Sequence, residues 1–148
     1  MQKVKLESKR IIGLKERTKN EDEMNLQRAK IGALWQNFFE NIMPTLGETP
    51  PTLYGVYSNY ESDAHGEFDV LVGAEGVELA KSREEVVLEE GTYLCFESNG
   101  ELPQAVIDTW GKIWNYFADE KCQEKRAYKT DFEKYISQNE AKIYIGIE

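Results

Sequence analysis

The chain has 148 residues, 41% of them hydrophobic, which suits one folded domain with its own core and argues against disorder. Its formal net charge is −9, from 27 acidic and 18 basic residues, and this argues against direct nucleic-acid binding, which requires a basic surface. Such an acidic surface favours solubility and is compatible with cationic partners.

The N-terminal segment and the cysteines give simple expectations about cellular context. The segment MQKVKLESKR is too polar for a signal peptide, and no apolar run reaches the roughly 18 residues that a membrane-spanning helix needs. We therefore expect a cytoplasmic protein that does not contact membranes. The two cysteines, Cys95 and Cys122, predict neither a disulfide framework nor a zinc cluster, and Cys95 is expected to be a small buried residue of an apolar strand.

Six strand-like segments and two amphipathic helices follow one another along the chain. The segment RIIGLKERT (10–18) predicts a strand, and a helix that ends at Pro44 and Gly47 follows it. LYGVYSNYES (53–62) and FDVLVGAE (68–75) predict two more strands. The order then repeats with GTYLCFES (91–98), a helix opened by Pro103, RAYKTDFEKYI (126–136) and KIYIGIE (142–148). The apolar stripes of the two helices are Ile31, Leu34, Trp35, Phe38, Phe39 and Ile42, and Val106, Trp110, Ile113, Trp114 and Phe117.

Short matches between the two series indicate an internal duplication. VLVGAE (70–75) resembles the terminal IYIGIE, and IGALWQNFF (31–39) resembles WGKIWNYFA (110–118). We predict a single domain, residues 1–148, made of two β-α-β-β repeats at about 1–76 and 84–148. The expected fold is α+β with pseudo-twofold symmetry, a mostly antiparallel sheet, and two helices on one face beside a central groove. No helix-turn-helix fits this order, so a DNA-binding part would have to belong to a separate regulator.

Metal and nucleophile chemistry find little support. His65 is the only histidine and lies in the polar segment SDAHGEF, where it is expected at the surface. Without further ligands it predicts no zinc site and no Ser-His-Asp arrangement. The GAEG segment follows a strand but opens no helix, so it predicts no phosphate site. We expect no metal and no cofactor.

Aromatic residues give a stronger signal than the metal-ligating types do. Seven tyrosines lie on strand-like segments: Tyr54, Tyr57, Tyr60, Tyr93, Tyr128, Tyr135 and Tyr144. A buried tyrosine hydroxyl needs water or a partner, so the cluster indicates an apolar but not dry cavity, as in small-molecule sites. Trp35, Phe38 and Phe117 are interpreted instead as core residues.

Glu133 in the segment KTDFEKYISQ is the carboxylate of greatest interest. A carboxylate among aromatic rings would attract a cation by charge and by cation–π interaction. Strand alternation puts Glu133 on one face with Lys129, Asp131 and Tyr135, and puts Tyr128, Thr130, Phe132 and Ile136 on the other. Because the second set is the more core-like, periodicity alone favours an exposed Glu133.

Four segments together resemble the GyrI-like small-molecule-binding domains, also called AraC-type effector-binding domains, and most of all the integron-cassette effector-binding proteins. They are YGVYSNYESDAHGEFDVLVGAE, PQAVIDTWGKIWNYF, AYKTDFEKY and IYIGIE. The resemblance implies two β-α-β-β units around a groove, with the acid of the F-E-x-Y motif facing cationic aromatic ligands. That role falls on Glu133, with Tyr135 as the motif tyrosine. The further residues predicted to line the groove are Tyr57, Tyr93, Phe96, Trp110, Trp114 and Tyr144.

Three functions remain open at this point. The first is a multidrug-type effector domain that binds hydrophobic cations and serves transcription regulation. The second is a hydrolase of electrophilic small molecules with Glu133 as general base, because some relatives in this family are similar to such enzymes. The third is a protein-binding module that presents an acidic surface to a topoisomerase. The binding protein is the preferred hypothesis, and we expect no catalytic residue.

Overall fold

The computed structural model describes residues 1–47, 51–75 and 84–148, and within these ranges eight strands form one antiparallel sheet accompanied by three helices. A π-helical turn, Phe38–Ile42, and a 3₁₀ turn, Met43–Thr45, extend the second helix. The elements in chain order are β1 Gln2–Leu6, β2 Lys9–Lys19, α1 Asn20–Glu23, α2 Ile31–Asn37, β3 Leu53–Ser58, β4 Glu67–Glu75, β5 Glu84–Leu88, β6 Gly91–Asn99, α3 Gln104–Ala118, β7 Arg126–Ser137 and β8 Glu140–Ile147.

The strand order of the sheet carries the predicted twofold symmetry. The order is β1-β6-β8-β7-β3-β4-β2-β5, with β3 and β7 at the centre. Exchanging β1 with β5, β2 with β6, β3 with β7 and β4 with β8 reverses this order and preserves every antiparallel pairing. The α+β class and the duplicated layout are therefore confirmed. The limits of the two repeats remain a proposal, and the predicted limit at residue 76 lies outside the described residues.

Two edge strands were not foreseen from the sequence. β1 pairs with β6 of the second half, whereas β5 pairs with β2 of the first half. Each half of the chain thus contributes an edge strand to the other half. The predicted β-α-β-β repeats do not include these two strands. The available signals were the alternation of Val4 and Leu6 with charged residues and the short apolar run VVL (86–88) between acidic residues.

Both long helices lie on the same face of the sheet, as predicted. Leu34 and Phe38 pack against Phe68, Val70 and Val72 of β4. On the other side of the symmetry axis, Val106 and Ile113 of α3 pack against Ala141, Ile143 and Ile145 of β8. Each such side chain contributes about 1.5–3 kcal/mol when it is fully buried. These two clusters lie over β4 and β8, the strands that flank the central pair. The central strands β3 and β7 therefore remain beneath the space between the helices.

The opposite face of the sheet has its own core. It contains Ile11, Tyr54, Val56, Leu71, Leu88, Tyr93 and Phe132. Residues of β5 contact β3 and β4, which are not its hydrogen-bonded neighbours, so the sheet curls over this face. The Glu89 backbone N–H donates to Thr130 Oγ1 of β7 at 3.1 Å and ties the curled edge to the centre. Both faces of β7 are consequently covered.

None of the helices within the described ranges has the length and apolar character needed to cross a membrane.

Candidate functional site

A cavity of about 450 Å³ opens between α2 and α3 above the central strands. Its helical walls include Ile31, Gly32 and Trp35 from α2 and Val106, Ile107, Trp110 and Trp114 from α3. Its floor includes Tyr57 of β3 and Arg126, Glu133 and Tyr135 of β7. The pseudo-twofold arrangement accounts for its position, since each helix packs outward over its own half of the sheet.

Glu133 lies at the centre of this floor and is only 2% exposed. Its partner across the β3–β7 ladder is Gly55. A Cβ atom at Gly55 would lie 2.8 Å from Glu133 Oε1, so the glycine provides the space that the carboxylate occupies. The exposure favoured by periodicity is therefore wrong, because alternation cannot show that both faces of a central strand are covered.

Three neutral donors hold the Glu133 carboxylate. The Tyr57 hydroxyl and the Trp110 indole N–H each donate to Oε2 at 2.7 Å, and the Tyr135 hydroxyl donates to Oε1 at 2.6 Å. Within the part of the chain that the structure describes, no lysine, arginine or histidine forms an ion pair with Glu133. A buried acid in this setting is hydrogen-bonded but not neutralised.

Burial sets the protonation behaviour of this cluster. It raises the pKa of Glu133, and the hydrogen bonds from Tyr135, Tyr57 and Trp110 offset only part of the effect. Burial, reinforced by the negative charge of Glu133, also raises the pKa of both Tyr57 and Tyr135. Both hydroxyls therefore remain protonated donors at neutral pH.

A second acid lies nearby and has an internal counter-ion. Asp131 is fully buried and accepts hydrogen bonds from Arg126 Nη2 at 2.7 Å and from the Tyr60 hydroxyl at 2.6 Å. The Gly146 backbone N–H donates to its other oxygen at 2.8 Å. Burial raises the pKa of Tyr60. Among residues 1–47, 51–75 and 84–148, no group of three or more histidine, cysteine, aspartate or glutamate side chains is arranged to hold a metal ion.

A β-bulge in β7 brings Arg126 to the cavity. The β7–β8 register shifts between Arg126 and Asp131, and Tyr128 adopts a positive φ of 53°. Strand alternation therefore fails before Asp131, since a bulge inserts an extra residue into the strand. Tyr128 stacks under the guanidinium of Arg126, 4.5 Å from ring centroid to Cζ, and its ring centroid lies 5.6 Å from that of the cavity residue Tyr60, whereas Lys129 is exposed. The predicted face assignment of Tyr128 is therefore wrong.

The structure brings five of the eight predicted groove residues together around the cavity. They are Glu133, Tyr135, Tyr57, Trp110 and Trp114. The other three do not line it. Tyr93 and Tyr144 lie on the opposite face of the sheet, in contact with Phe132, and Phe96 lies beneath α3 against Tyr116. Whether any of the eight binds a ligand stays a prediction.

The sequence-based set lacked several residues of the cavity wall, among them the aromatic and charged side chains of Trp35, Tyr60 and Arg126. It also lacked Asp131, which does not line the wall but holds Arg126. Trp35 was interpreted as core, yet it is only partly buried and its ring meets that of Tyr135 edge to face at 5.2 Å between centroids. Its match to Trp114 in the internal repeat was a usable signal, because symmetry places both tryptophans beside the groove.

The sequence matches a family model over its whole length. Residues 1–148 match the model described as the GyrI-like small molecule binding domain. The chain belongs to the GyrI-like family.

Proteins similar to this GyrI-like domain match it over nearly their whole length. The Bacillus subtilis (strain 168) protein named "Putative transcriptional regulator protein YobU" is 32% identical over 158 residues, with 97% of this chain and 94% of that protein covered. An integron cassette protein, VCH_CASS2, from the mobile metagenome of Vibrio cholerae is 41% identical with a TM-score of 0.93, over 99% of this chain and 95% of that one. SAV2435, solved bound to tetraphenylphosphonium, shares the fold at 20% identity and a TM-score of 0.73, over 99% and 93% of the chains.

Proposed function

We propose that this GyrI-like domain binds hydrophobic organic cations in the cavity between α2 and α3, with the cationic centre beside Glu133. The observation that carries the proposal is the state of that carboxylate. It is buried in an aromatic cavity and held by three neutral donors, so its charge is uncompensated by them. A ligand cation would supply the missing counter-charge.

The energetics favour cations over neutral ligands of the same shape. A cation within a few ångströms of a buried carboxylate gains more than it would in water, because the local dielectric constant is lower. The rings of Trp35, Trp110 and Tyr57 add cation–π attraction of about 0.5–2 kcal/mol for each well-placed face. A site made of one acid and several aromatic rings selects ligands by charge more strictly than by shape. We therefore expect affinity for many lipophilic cations. The tetraphenylphosphonium complex of SAV2435, a protein of the same fold, supports this expectation.

A pair of isosteric ions tests the proposal directly. Tetraphenylphosphonium and tetraphenylborate have nearly the same shape and opposite charge. The cation is expected to quench tryptophan fluorescence with micromolar affinity, and the anion is expected not to bind. Glu133→Gln should weaken binding of the cation by tenfold or more, whereas the control Glu97→Gln, an exposed acid of β6, should not. Equal affinity in wild type and Glu133→Gln would refute the role of Glu133.

Hydrolysis of electrophilic small molecules is the second candidate. The observation that favours it is the raised pKa of Glu133, since a general base works best with a pKa close to the working pH. The protonated Tyr57 and Tyr135 hydroxyls could hydrogen-bond a developing oxyanion beside it. Turnover of an epoxide or aziridine that disappears in Glu133→Gln would place this activity above simple binding. Binding without turnover would leave the domain a binding protein.

We also propose that the domain acts in the cytoplasm as a sensor whose liganded state is read by another protein. A separate DNA-binding regulator is the preferred partner, in line with the regulator name of a relative, and a topoisomerase is the alternative. Affinity capture with and without tetraphenylphosphonium tests this role. If a partner is recovered in the same amount with and without the ligand, the proposed sensing role is contradicted.

A further inference from the structure

Arg126 combines burial, positive charge and unused hydrogen-bonding capacity. Its side chain is 6% exposed, yet it lines the cavity above Glu133 and also an adjoining cavity of about 620 Å³. The two cavities share Asn20, Ala64, Trp114 and Arg126. Of the five N–H donors of a guanidinium, the Nη2 bond to Asp131 is satisfied, and Nε is buried without a partner among the described residues. Nε is too enclosed for a ligand to reach, whereas Nη1 forms no hydrogen bond among the described residues and is not fully enclosed, so Nη1 is the donor open to an acceptor on a ligand.

The charges around the cavity leave a negative surplus, because neither acid of its wall, Glu133 or Glu23, has an ion-pair partner among the described residues. Asp131 and Arg126 compensate each other, and Glu133 has only neutral donors. The other acid of the wall, Glu23, is engaged structurally, because it accepts the backbone N–H groups of Lys30 and Ile31 at 2.9 and 3.1 Å at the start of α2. Burial, the largest single influence, lowers the pKa of Arg126, but Asp131 together with Tyr60 and Tyr128 raises it overall, so the guanidinium stays charged.

We propose that Arg126 is a second recognition group, so that the cavity selects hydrophobic ligands with a single cationic centre for Glu133 and a carboxylate for Arg126. The inference rests on the proposed function, since it names the ligand class for the same site. Glu133 and Arg126 line the same cavity, and Asp131, which holds Arg126, lies two positions from Glu133 on the same strand face, a backbone spacing of about 7 Å. One aromatic molecule in this cavity can therefore contact both charged groups. A second cation on the ligand would meet Arg126 and be repelled.

Guanidinium geometry explains why an acceptor on the ligand would be recognised. The planar group can present two parallel N–H donors to a carboxylate. Tyr128 stacks on one face of Arg126 at 4.5 Å, and Asp131 fixes one edge, so the orientation is set before a ligand arrives. If Arg126 instead served only to neutralise Asp131, an acceptor on the ligand would not change affinity through Arg126.

Two dyes that differ at one group test the acceptor preference. Rhodamine 123 is a monocationic methyl ester, and rhodamine 110 is the same dye with a free carboxylate. The charge-neutral double variant Arg126→Gln/Asp131→Asn avoids leaving a buried acid unpaired. It should shift the ratio of the two dissociation constants against rhodamine 110 by about tenfold relative to wild type. Lys129→Gln, which removes an exposed positive charge from the same strand, is the matched control and should leave the ratio unchanged.

The outcomes separate the two proposals. An equal ratio in wild type and double variant, with both dyes bound, overturns the role of Arg126 and leaves the cation site standing. If the wild type binds neither dye nor tetraphenylphosphonium, the proposed function fails and the role of Arg126 fails with it. Should melting curves show that the double variant is unfolded, Arg126→Lys decides. It keeps the pair with Asp131 but lacks the planar fork, so the ratio should still shift against rhodamine 110, and an unchanged ratio overturns the proposal.

A second pair of dyes tests the exclusion of dications. Ethidium carries one positive charge, and propidium carries a second one on a flexible side chain. The wild type should prefer ethidium, and the preference should shrink severalfold in Arg126→Gln/Asp131→Asn, which removes the repelling positive charge without leaving Asp131 unpaired. A preference for ethidium that is the same in both proteins contradicts the exclusion.

Discussion

The two oxygens of Glu133 are held unequally, and this asymmetry predicts unequal effects of two similar substitutions. Oε2 accepts hydrogen bonds from both Tyr57 and Trp110, whereas Oε1 accepts one from Tyr135. Tyr135→Phe therefore leaves a buried carboxylate oxygen without its donor among the described residues. Tyr57→Phe leaves Trp110 in place on Oε2. Both substitutions keep the ring, so they change the hydrogen bond and little of the packing.

The magnitudes follow from the charge of the acceptor. A hydrogen bond to a charged group contributes about 1.5–3 kcal/mol, so Tyr135→Phe should lower the free energy of unfolding by about 2 kcal/mol at pH 8. Tyr57→Phe should lower the free energy of unfolding by about 1 kcal/mol, because Glu133 Oε2 keeps the hydrogen bond from Trp110. For a chain of this length each kcal/mol corresponds to roughly 2–4 °C in Tm. The expected falls in Tm are about 4–8 °C for Tyr135→Phe and about half of that for Tyr57→Phe.

Urea denaturation of the unliganded protein at several pH values is the appropriate assay. Because the pKa of Glu133 is raised, its contribution to stability is fully present below the pKa of the unfolded state and is lost as pH rises through the folded pKa. Tyr135→Phe removes a donor that lowers this pKa, so stability should fall more steeply with rising pH than in wild type. The difference between the two variants should shrink in acid, where Glu133 is neutral.

Two results would refute this reasoning. One is that Tyr57→Phe lowers the free energy of unfolding at pH 8 as much as Tyr135→Phe does, or more. The other is that Tyr135→Phe lowers it by the same amount in a Glu133→Gln background, because the effect is attributed to the charge of Glu133. Either result would mean that the unequal hydrogen bonding of the two oxygens does not govern their energetics.

Two further predictions concern the same site. Gly55→Ala would place a methyl group 2.8 Å from Glu133 Oε1, so it should cost about 1–3 kcal/mol in urea denaturation and weaken cation binding. Its control, Gly111→Ala in the interior of α3, meets no atom within 4 Å and should stabilise by about 0.5–1 kcal/mol. A Gly55→Ala protein as stable as wild type would contradict the packing argument. Cation affinity measured against pH should also fall as pH drops through the raised pKa of Glu133, and this fall should disappear in Glu133→Gln. A fall of the same size in Glu133→Gln would contradict the assignment to Glu133.

The sequence allowed much of the fold to be predicted because the signals are local. Apolar periodicity located α2 and α3, and β-rich runs bounded by turn residues located six strands. The edge strands β1 and β5 were missed because each is short, rich in charge and paired with the other half of the chain. Pairing between distant segments leaves no periodic trace within either one.

The candidate site could likewise be predicted only where the signals are local. Alternation correctly grouped Glu133 with Asp131 and Tyr135, and the internal repeat related Trp35 to Trp114. Which face of the sheet carries the cavity depends on where the helices pack. Tyr93 and Tyr144 are as aromatic as Tyr57, and only their register places them on the opposite face.

The residues themselves thus determined the α+β class, the duplication and the acid at position 133, since composition, periodicity and motif are properties of short segments. Only the tertiary structure decided that Glu133 is buried, because covering both faces of β7 requires the helices on one side and the curled sheet on the other. It also decided the place of Arg126, because a bulge breaks the alternation from which its face would be inferred. Burial and register depend on contacts between segments far apart in the chain, and these contacts establish both charged groups at the cavity.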